Sequence, residues 1–307
     1  MANATISTMH MAYLAGLLPS PVFELGPAAV QVPPGFEDTV IEQLTATGFI
    51  TGPDTLSDGA KALLEPLTAY EEAYTGVILL HNERQPVQLD IDDQWMEFLK
   101  NSLTDLPRVY FLVARSGNVL SVAVRAGEQI DLSQRTIPGG PFAPVAATVI
   151  LDIGDPQHEW KPLKIAPVMI LQALVEKAPV RRPNSDVDEP AVTKGYRAQA
   201  DRFIAAVRGE GLSPSTATTL RTLLTYDHVA QTHVVHSNGP RKLLSEGAAT
   251  IDYFHDRGVS VSGVRKTADG GMWKSIMPAT AKNVADALHE LTRIPASPLE
   301  SSLPRPA

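Results

Sequence analysis

Residues 110–132 read YFLVARSGNVLSVAVRAGEQIDL, and this stretch decides the fold class. Apolar, strand-like runs flank Ser116-Gly117-Asn118, and over 119–124 apolar residues alternate with the small residues Ser121 and Ala123. A short polar run that contains glycine between two such strands is typical of a β-hairpin turn. The sequence therefore predicts consecutive antiparallel strands over 108–132.

A second hairpin pattern lies near the C-terminus. Residues 261–277 read VSGVRKTADGGMWKSIM, in which two strand-like runs flank Ala268-Asp269-Gly270-Gly271. Arg115 and Arg265 hold similar places in the two hairpins, and their residue numbers differ by 150. The chain thus carries two similar hairpins, one in each half.

A similar pair of segments precedes the two hairpins. Residues 67–82 read LTAYEEAYTGVILLHN, and residues 224–238 read LTYDHVAQTHVVHSN. Each passes from the end of a helix, through a tyrosine followed by an acid, into a β-branched strand that ends in His and Asn. Tyr70 and Tyr226 differ by 156 in residue number. Two features in the same order at nearly the same offset predict two related halves.

Apolar stripes and capping residues predict the other elements. Ser57 and Ser213 stand where a helix N-cap is expected, and Pro214 follows at a first helical position. Because strand runs and helices are segregated, the sequence favours an α+β fold over a doubly wound parallel sheet. Helices are predicted over 11–18, 37–49, 58–70, 195–209, 213–226 and 281–294, and strands over 21–25, 76–80, 108–132, 145–153, 229–236, 249–255 and 259–277.

The domain organisation follows from one polar segment. Residues 180–190 read VRRPNSDVDEP, which is proline-bearing and has no apolar periodicity. We expect an N-terminal half over 1–180, a linker over 181–190 and a C-terminal half over 191–294, together forming one integrated domain. The tail over 295–307 is expected to be disordered.

Composition and charge bound the function. The 307 residues are 44% hydrophobic and 20% charged, as in ordinary globular proteins. Residues 1–107 hold 15 acidic and 3 basic side chains, whereas the remaining residues hold 19 and 23. An acidic half repels phosphate, so no nucleic-acid partner is expected. The acidic surface is either a solvated face or a face that attracts a basic partner.

Cysteine usage and hydropathy bear on location. The chain contains no cysteine, which excludes disulfides, thiolate metal sites and cysteine nucleophiles and fits a reducing cytoplasm. No apolar run approaches the roughly 20 residues of a membrane-spanning helix, so membrane insertion is not expected. The first 21 residues lack a basic segment, and no signal peptide is predicted.

Catalytic motifs are absent from the sequence. The chain has no G-x-G-x-x-G, no G-x-x-x-x-G-K-[ST], no G-x-S-x-G and no H-E-x-x-H. We therefore expect no enzyme activity, no catalytic residues and no cofactor.

Three histidines carry the alternative hypothesis, a small-molecule or metal-binding enzyme or sensor. His228, His233 and His236 lie on one predicted strand. Strand alternation predicts that His233 and His236 point to opposite faces. It allows His228 and His236 to share a face, but eight positions apart they are too distant for one ion. The sequence therefore predicts no metal site.

An insertion separates two predicted strands. Residues 90–105 read DIDDQWMEFLKNSLTD, in which Trp95 and Phe98 fall on one face of a predicted amphipathic helix. This face either packs against the core or is offered to a partner. Trp95 and Phe98 are the candidate partner-binding residues.

Three segments resemble the EspG family of type VII (ESX) secretion chaperones. They are the strand–turn–strand–turn–strand of 110–132, the helix and proline-rich link ILQALVEKAPVRRPNSDVDEPAV of 170–192, and the hairpin and closing helix VRKTADGGMWKSIMPATAKNVADALHEL of 264–291. The resemblance extends from about Met9 to Ile294 and rests on pattern and order.

The resemblance implies a fold and a function. The fold would be α+β, a central antiparallel sheet flanked by two helical bundles, with two related halves in pseudo-twofold symmetry. The function would be that of a cytosolic chaperone, a monomer or weak homodimer, that binds the apolar tip of a PE–PPE heterodimer and keeps it soluble for export. The insertion at 90–105 occupies a loop that contacts the substrate and varies in this family, and the tail from Pro295 is extra, so the client's identity stays open.

Overall fold

The structure is a computed structural model, and it contains twelve strands and seven helices within the residues that it describes. Those residues are 2–19, 22–25, 32, 34–81, 107–155, 159–171, 190–209, 211–225, 228–240, 245, 247–255, 257–267 and 270–294. The strands are β1 (Ala2–Ser7), β2 (Ile50–Gly52), β3 (Thr55–Leu56), β4 (Glu72–Leu80), β5 (Arg108–Ser116), β6 (Val119–Ala126), β7 (Gln129–Thr136), β8 (Val168–Leu171), β9 (His228–Ser237), β10 (Ala249–Phe254), β11 (Gly258–Lys266) and β12 (Met272–Pro278). The helices are α1 (Thr8–Ala15), α2 (Glu37–Ala46), α3 (Asp58–Thr68), α4 (Ala143–Gly154), α5 (Pro190–Gly209), α6 (Pro214–Thr225) and α7 (Ala281–Leu291), with one 3₁₀ turn at Phe23–Leu25.

Ten strands form one sheet, in the order β1-β7-β6-β5-β4-β9-β10-β11-β12-β8, and β2 and β3 form a small hairpin of their own. Every neighbouring pair in the large sheet is antiparallel. At its centre β4 pairs with β9, so that the N-terminal and C-terminal strands are continuous. The α+β class and the antiparallel sheet predicted from the sequence are therefore confirmed.

Helices cover both faces of the sheet. Strand alternation assigns even-numbered residues of β4 to one face and odd-numbered residues to the other. Tyr74 and Ile78 pack in a core with α4 and α7, which also contact each other. Ala73 packs on the opposite face in a core with α1, α2 and α3. A third core, over β8 and β12, joins α5 and α6.

The segment 145–153 is a helix, and its prediction as a strand was wrong. Its β-branched residues are typical of strands. However, the fully or nearly buried positions Ala143, Ala146, Ala147 and Ile150 follow the spacing of one helical face. The alanines allow close packing against α7, and Pro144 occupies the first turn, where it costs no hydrogen bond. Tertiary packing thus overrides local propensity.

Other boundaries also differ from the predictions. Residues 23–25 form a 3₁₀ turn where a strand was predicted. Residues 170–171 end strand β8, although a helix was predicted to begin there, and residue 190 begins α5 instead of ending the linker. Strands β1, β2, β3 and β8 had no counterpart in the predictions. The predicted linker over 181–189 and the tail over 295–307 lie outside the described residues.

The predicted helix caps are confirmed. The hydroxyl of Ser57 accepts a hydrogen bond from the backbone N–H of Ala60, and that of Ser213 accepts one from Thr216. These bonds satisfy backbone donors that have no partner in the first turn of a helix. In the part of the chain that the structure describes, no helix is both long enough and apolar enough to cross a membrane.

The two hairpins compared in the sequence hold different places in the sheet. Arg115 lies on β5, the strand next to the central β4. Arg265 lies on β11, two strands away from the central β9. The two arginines are therefore not at corresponding positions in the strand order, and β10–β11 corresponds in order to the hairpin β5–β6.

Candidate functional site

Strand β9 carries the three histidines, and a β-bulge decides which of them lie together. The register between β9 and β10 shifts beside Tyr253 and Phe254, which leaves Val229 as an extra residue on β9. An extra residue reverses the alternation of side chains beyond it. The bulge therefore places His228 on the same face as His233.

The prediction that His228 and His236 could share a face is wrong, and the bulge is the reason. His236 lies on the opposite face, with Nε2 3.3 Å from Oε1 of Glu72 and its ring 5.1 Å from the ring of Tyr74. The prediction that His233 and His236 point to opposite faces is confirmed. The three imidazoles therefore do not converge on one point.

Glu72 connects His236 to Arg115. Nη2 of Arg115 donates to Oε2 of Glu72 at 3.1 Å, and Nη1 donates to the backbone oxygen of Gly140 at 2.7 Å. The guanidinium lies 5.3 Å from the centroid of the Phe142 ring. This cluster ties β4, β5 and β9 to the loop before α4.

A second polar network lies on the His233 face. Nε2 of Gln231 donates to Oδ1 of Asp252 at 2.6 Å, and Nε2 of His228 lies 3.4 Å from the same oxygen. The other amide atom of Gln231, Oε1, lies 3.0 Å from Nε2 of His233. Two side chains of β9, His228 and Gln231, thus contact the carboxylate of Asp252 on β10, and His233 contacts Gln231.

The network changes two proton affinities. Burial would raise the pKa of Asp252, but hydrogen bonds from His228 and Gln231, with the positive charges of His228 and Lys274, together lower it. Burial lowers the pKa of His233; Asp252 opposes this, and Lys274 adds to it. At neutral pH the structure therefore favours an ionised Asp252 and a neutral His233.

Metal binding finds no support in this arrangement. Among the residues that the structure describes, no group of three or more His, Asp or Glu side chains is placed to hold a metal ion. Asp252 is already engaged by Gln231 and His228, and His236 is on the far side of the sheet.

A cavity of about 190 Å³ lies over this network, between the sheet and helices α5 and α6. Apolar side chains from these helices and from β8, β10 and β12 form its walls. The polar residues that line it are His228, Gln231, Asp252, Ser260, Ser262 and Lys274. The cavity and the polar strip beneath it are the candidate small-molecule site.

Of these lining residues, only His228 is a candidate from the sequence. The strand 258–264, GVSVSGV, places Ser260 and Ser262 on one face by simple alternation, opposite Val259 and Val261. Asp252 pairs directly with Ser260. Alternating serines on a strand were the available signal, but the sequence does not show which helices cover them.

Trp95 and Phe98, the predicted partner-binding residues, lie outside the described residues. The flanking strands are described: Leu79 of β4 pairs with Arg108 of β5, so the segment 82–106 leaves and rejoins the sheet at the same end. The two strands that flank this segment are therefore neighbours in the sheet.

Comparisons with known proteins identify one family. The model of the EspG family matches residues 31–290. No curated protein matches the chain in sequence.

A solved structure of a type VII secretion chaperone is similar in fold. The type VII secretion system chaperone EspG5 of Mycobacterium tuberculosis, solved in complex with a PE25–PPE41 dimer, is 18% identical, with a TM-score of 0.64 over 95% of this chain and 96% of that one. The 12:0-ACP thioesterase of Umbellularia californica aligns over 90% of this chain and 97% of that chain at 10% identity and a TM-score of 0.14. The latter score is too low to indicate a common fold.

Proposed function

The chain belongs to the EspG family, and from this we propose that it is a cytosolic chaperone of type VII (ESX) secretion. Its client is a PE–PPE-type heterodimer, whose apolar tip it binds and keeps soluble for export. The observation that carries the proposal is the family match over residues 31–290, which includes both central strands. In this role the protein binds and releases a client without chemistry, catalytic residues or a cofactor.

The fold supports the same role. The likeness to EspG5 extends over nearly the whole of both chains, and EspG5 was solved with a PE25–PPE41 dimer. At 18% identity this likeness concerns the fold, so the client of this chain is inferred from family and fold together. A type VII client outside the PE–PPE group would use the same surface.

We place the client contact on the segment between β4 and β5. Trp95 and Phe98 are the aromatic residues of this segment, and buried aromatics dominate the binding energy of protein interfaces. Asp92, Asp93 and Glu97 would form a polar rim that guides approach and adds little affinity. The acidic character of residues 1–107 acts in the same direction on a basic client surface.

We also propose that the chain consists of two related halves. Along the chain, β1, a mainly helical segment, the meander β4–β7 and α4 are followed by β8, a helical segment, the meander β9–β12 and α7. This order supports two related halves about a pseudo-twofold axis, each with its own helical bundle. It favours a join between α4 and β8, ahead of the proposed linker at 181–190 that separates 1–180 from 191–294.

Co-expression tests the proposed function. The chain is produced with a PE–PPE heterodimer from its own secretion locus, and the mixture is analysed by size-exclusion chromatography with light scattering. We expect a complex of one chaperone with one heterodimer, more soluble heterodimer than without the chaperone, and free chaperone as a monomer or weak homodimer. Failure to co-elute, together with unchanged heterodimer solubility, would contradict the proposal.

A further inference from the structure

The cavity beneath α5 and α6 has the volume of a small ligand. Cavities of about 150 Å³ admit a molecule the size of benzene, whereas sites for drug-sized ligands measure about 300–1,000 Å³. At about 190 Å³ the cavity fits one ring with a short substituent. Phe203, Leu220 and Leu224 are among its apolar walls, so the body of such a molecule would be apolar.

The polar floor favours a neutral head group. Asp252 is already bound by His228 and Gln231, and the positive charge of Lys274 acts on the same carboxylate. Because Asp252 and Lys274 both line the cavity, an ionised ligand of either sign would lose its hydration and meet a like charge beside the opposite one. Charged molecules are therefore disfavoured despite the charged residues of the floor.

Ser260 supplies the second observation. It is fully buried, it lines the cavity, and its Oγ has no hydrogen-bond partner among the described residues. Asp252 lies directly opposite Ser260 across β10 and β11, so their side chains stand side by side on one face. A buried hydroxyl without a partner is unfavourable, and a ligand hydroxyl between the two residues could accept from Ser260 and donate to Asp252.

We propose that this cavity binds a small neutral amphiphile, an apolar ring or short branched chain that carries one hydroxyl group. The hydroxyl lies between Asp252 and Ser260, and the apolar body lies among the side chains of α5 and α6. Binding at this site does not depend on the chaperone role. The only one of the three β9 histidines that lines the cavity, His228, orients the carboxylate of Asp252.

Benzyl alcohol is the probe that tests this site in the full-length protein. We expect saturable binding by ligand-observed NMR and a concentration-dependent rise in the melting temperature, with a dissociation constant of about 1 mM or lower. Benzoate and benzylamine have the same ring but carry a charge, and each should bind at least about tenfold more weakly.

Two variants examine the head and the body separately. Ser260→Ala removes one hydrogen bond and should weaken benzyl alcohol about tenfold. Leu224→Trp fills the cavity from the partly exposed side of α6 and should abolish binding, and it keeps the test valid if Ser260→Ala is unstable. Ser121→Ala, a buried serine of β6 outside the cavity, is the matched control and should bind as the wild type does.

Three results would overturn the proposal. The first is the absence of saturable binding up to about 10 mM benzyl alcohol, ten times the expected dissociation constant. The second is equal affinity for the alcohol and its charged analogues, and the third is unchanged affinity for the alcohol in a folded Leu224→Trp protein.

Discussion

Val77 of β4 and His233 of β9 lie directly opposite each other at the centre of the ten-stranded sheet. Residue numbers 77 and 233 differ by 156, the same separation as that between Tyr70 and Tyr226 in the sequence. When a twofold axis relates two antiparallel strands, only the pair on the axis joins equivalent residues. We therefore place the proposed pseudo-twofold axis at Val77 and His233, where the two halves of the sheet meet.

Next to this pair, Gly76 allows the two central strands to approach. A Cβ atom at this position would lie 2.0 Å from the backbone oxygen of His233 and 2.8 Å from the ring of Phe111. Because the first of these is backbone, it cannot move aside without disturbing the sheet. We expect Gly76→Ala to lower the free energy of unfolding by about 1–3 kcal/mol, measured by urea denaturation.

Gly52→Ala is the matched control for this prediction. Gly52 also lies in a strand, but a Cβ atom there meets nothing within 4 Å. Its substitution should change the free energy of unfolding by no more than about 0.5 kcal/mol. Similar losses of unfolding free energy in the two variants would show that the close approach of the strands at Gly76 is not the reason why alanine is unfavourable there.

His233 should make the stability depend on pH in the mildly acidic range. Burial lowers its pKa in the folded state, with Asp252 opposing and Lys274 adding to the shift. A lowered pKa means that the unfolded chain binds the proton more readily. The contribution of His233 is therefore complete above about pH 6.5, its unfolded value, and is lost as the pH falls through the folded value.

His233→Gln tests this dependence and keeps a donor for Gln231. We expect the free energy of unfolding of the variant to fall less than that of the wild type between about pH 7 and pH 5. His289→Gln, at an exposed histidine of α7, should leave the wild-type profile unchanged. If the His233 and His289 variants both followed the wild type, the neutral state of His233 would not contribute to stability.

Asp252 should contribute in a separate, more acidic range. Its lowered pKa places its stabilisation above about pH 3.9, the unfolded value, and this stabilisation is lost as the pH falls through the folded value. Asp252→Asn should therefore lower the free energy of unfolding at pH 7 by about 1–3 kcal/mol and flatten its pH dependence below about pH 4. The control, Asp286→Asn, changes an exposed carboxylate of α7 and should do neither.

The sheet was predictable because its information is local. A strand-like pattern and a glycine turn predict the hairpin β5–β6. The turn residue Gly117 has a positive φ of 55°, as such a turn requires. In contrast, the helix 143–154 is stabilised by its contact with α7, which lies far along the chain. Its β-branched residues, taken locally, favour a strand instead of a helix. Single-residue features, such as the bulge at Val229, depend on strand pairing that no local pattern reveals.

The candidate site was predictable only in part, for the same reason. The histidines of β9 stood out as residue types, but the bulge, not the residue type, puts His228 beside Asp252. Ser260 and Asp252 become a pair only when β10 and β11 align. A cavity needs the helices α5 and α6 above the strip, and their placement is a tertiary fact.

Replacing His228, His233 and His236 together with glutamine should leave client binding unchanged within about threefold. The prediction rests on the separation of the imidazoles across two faces of the sheet, which leaves them no common ligand to hold. Stability should fall, because His236 is buried beside Glu72. Binding is measured at a temperature at which the variant is folded. A stoichiometric metal ion in the wild type that is lost from the triple variant would contradict the non-enzymatic proposal.

Trp95→Ala distinguishes a client surface from a core position. If Trp95 lies at the client surface, as we propose, its removal should weaken client binding by about 2 kcal/mol or more and leave the melting temperature of the free protein nearly unchanged. If Trp95 packs in the core, its removal should cost about 3–5 kcal/mol of stability, and binding would be lost only through unfolding. Isothermal titration with the heterodimer and thermal unfolding of the free variant measure the two quantities separately.

Trp160 provides the matched control, because it is a tryptophan that contacts the core. Its ring lies edge-on to the buried ring of Tyr253, at 5.8 Å between centroids, and packs against the core shared by α4 and α7. Trp160→Ala should lower the melting temperature and leave the affinity of the folded protein for its client unchanged. If Trp95→Ala behaved like Trp160→Ala, Trp95 would be a core residue, and the client contact would have to lie elsewhere on the protein.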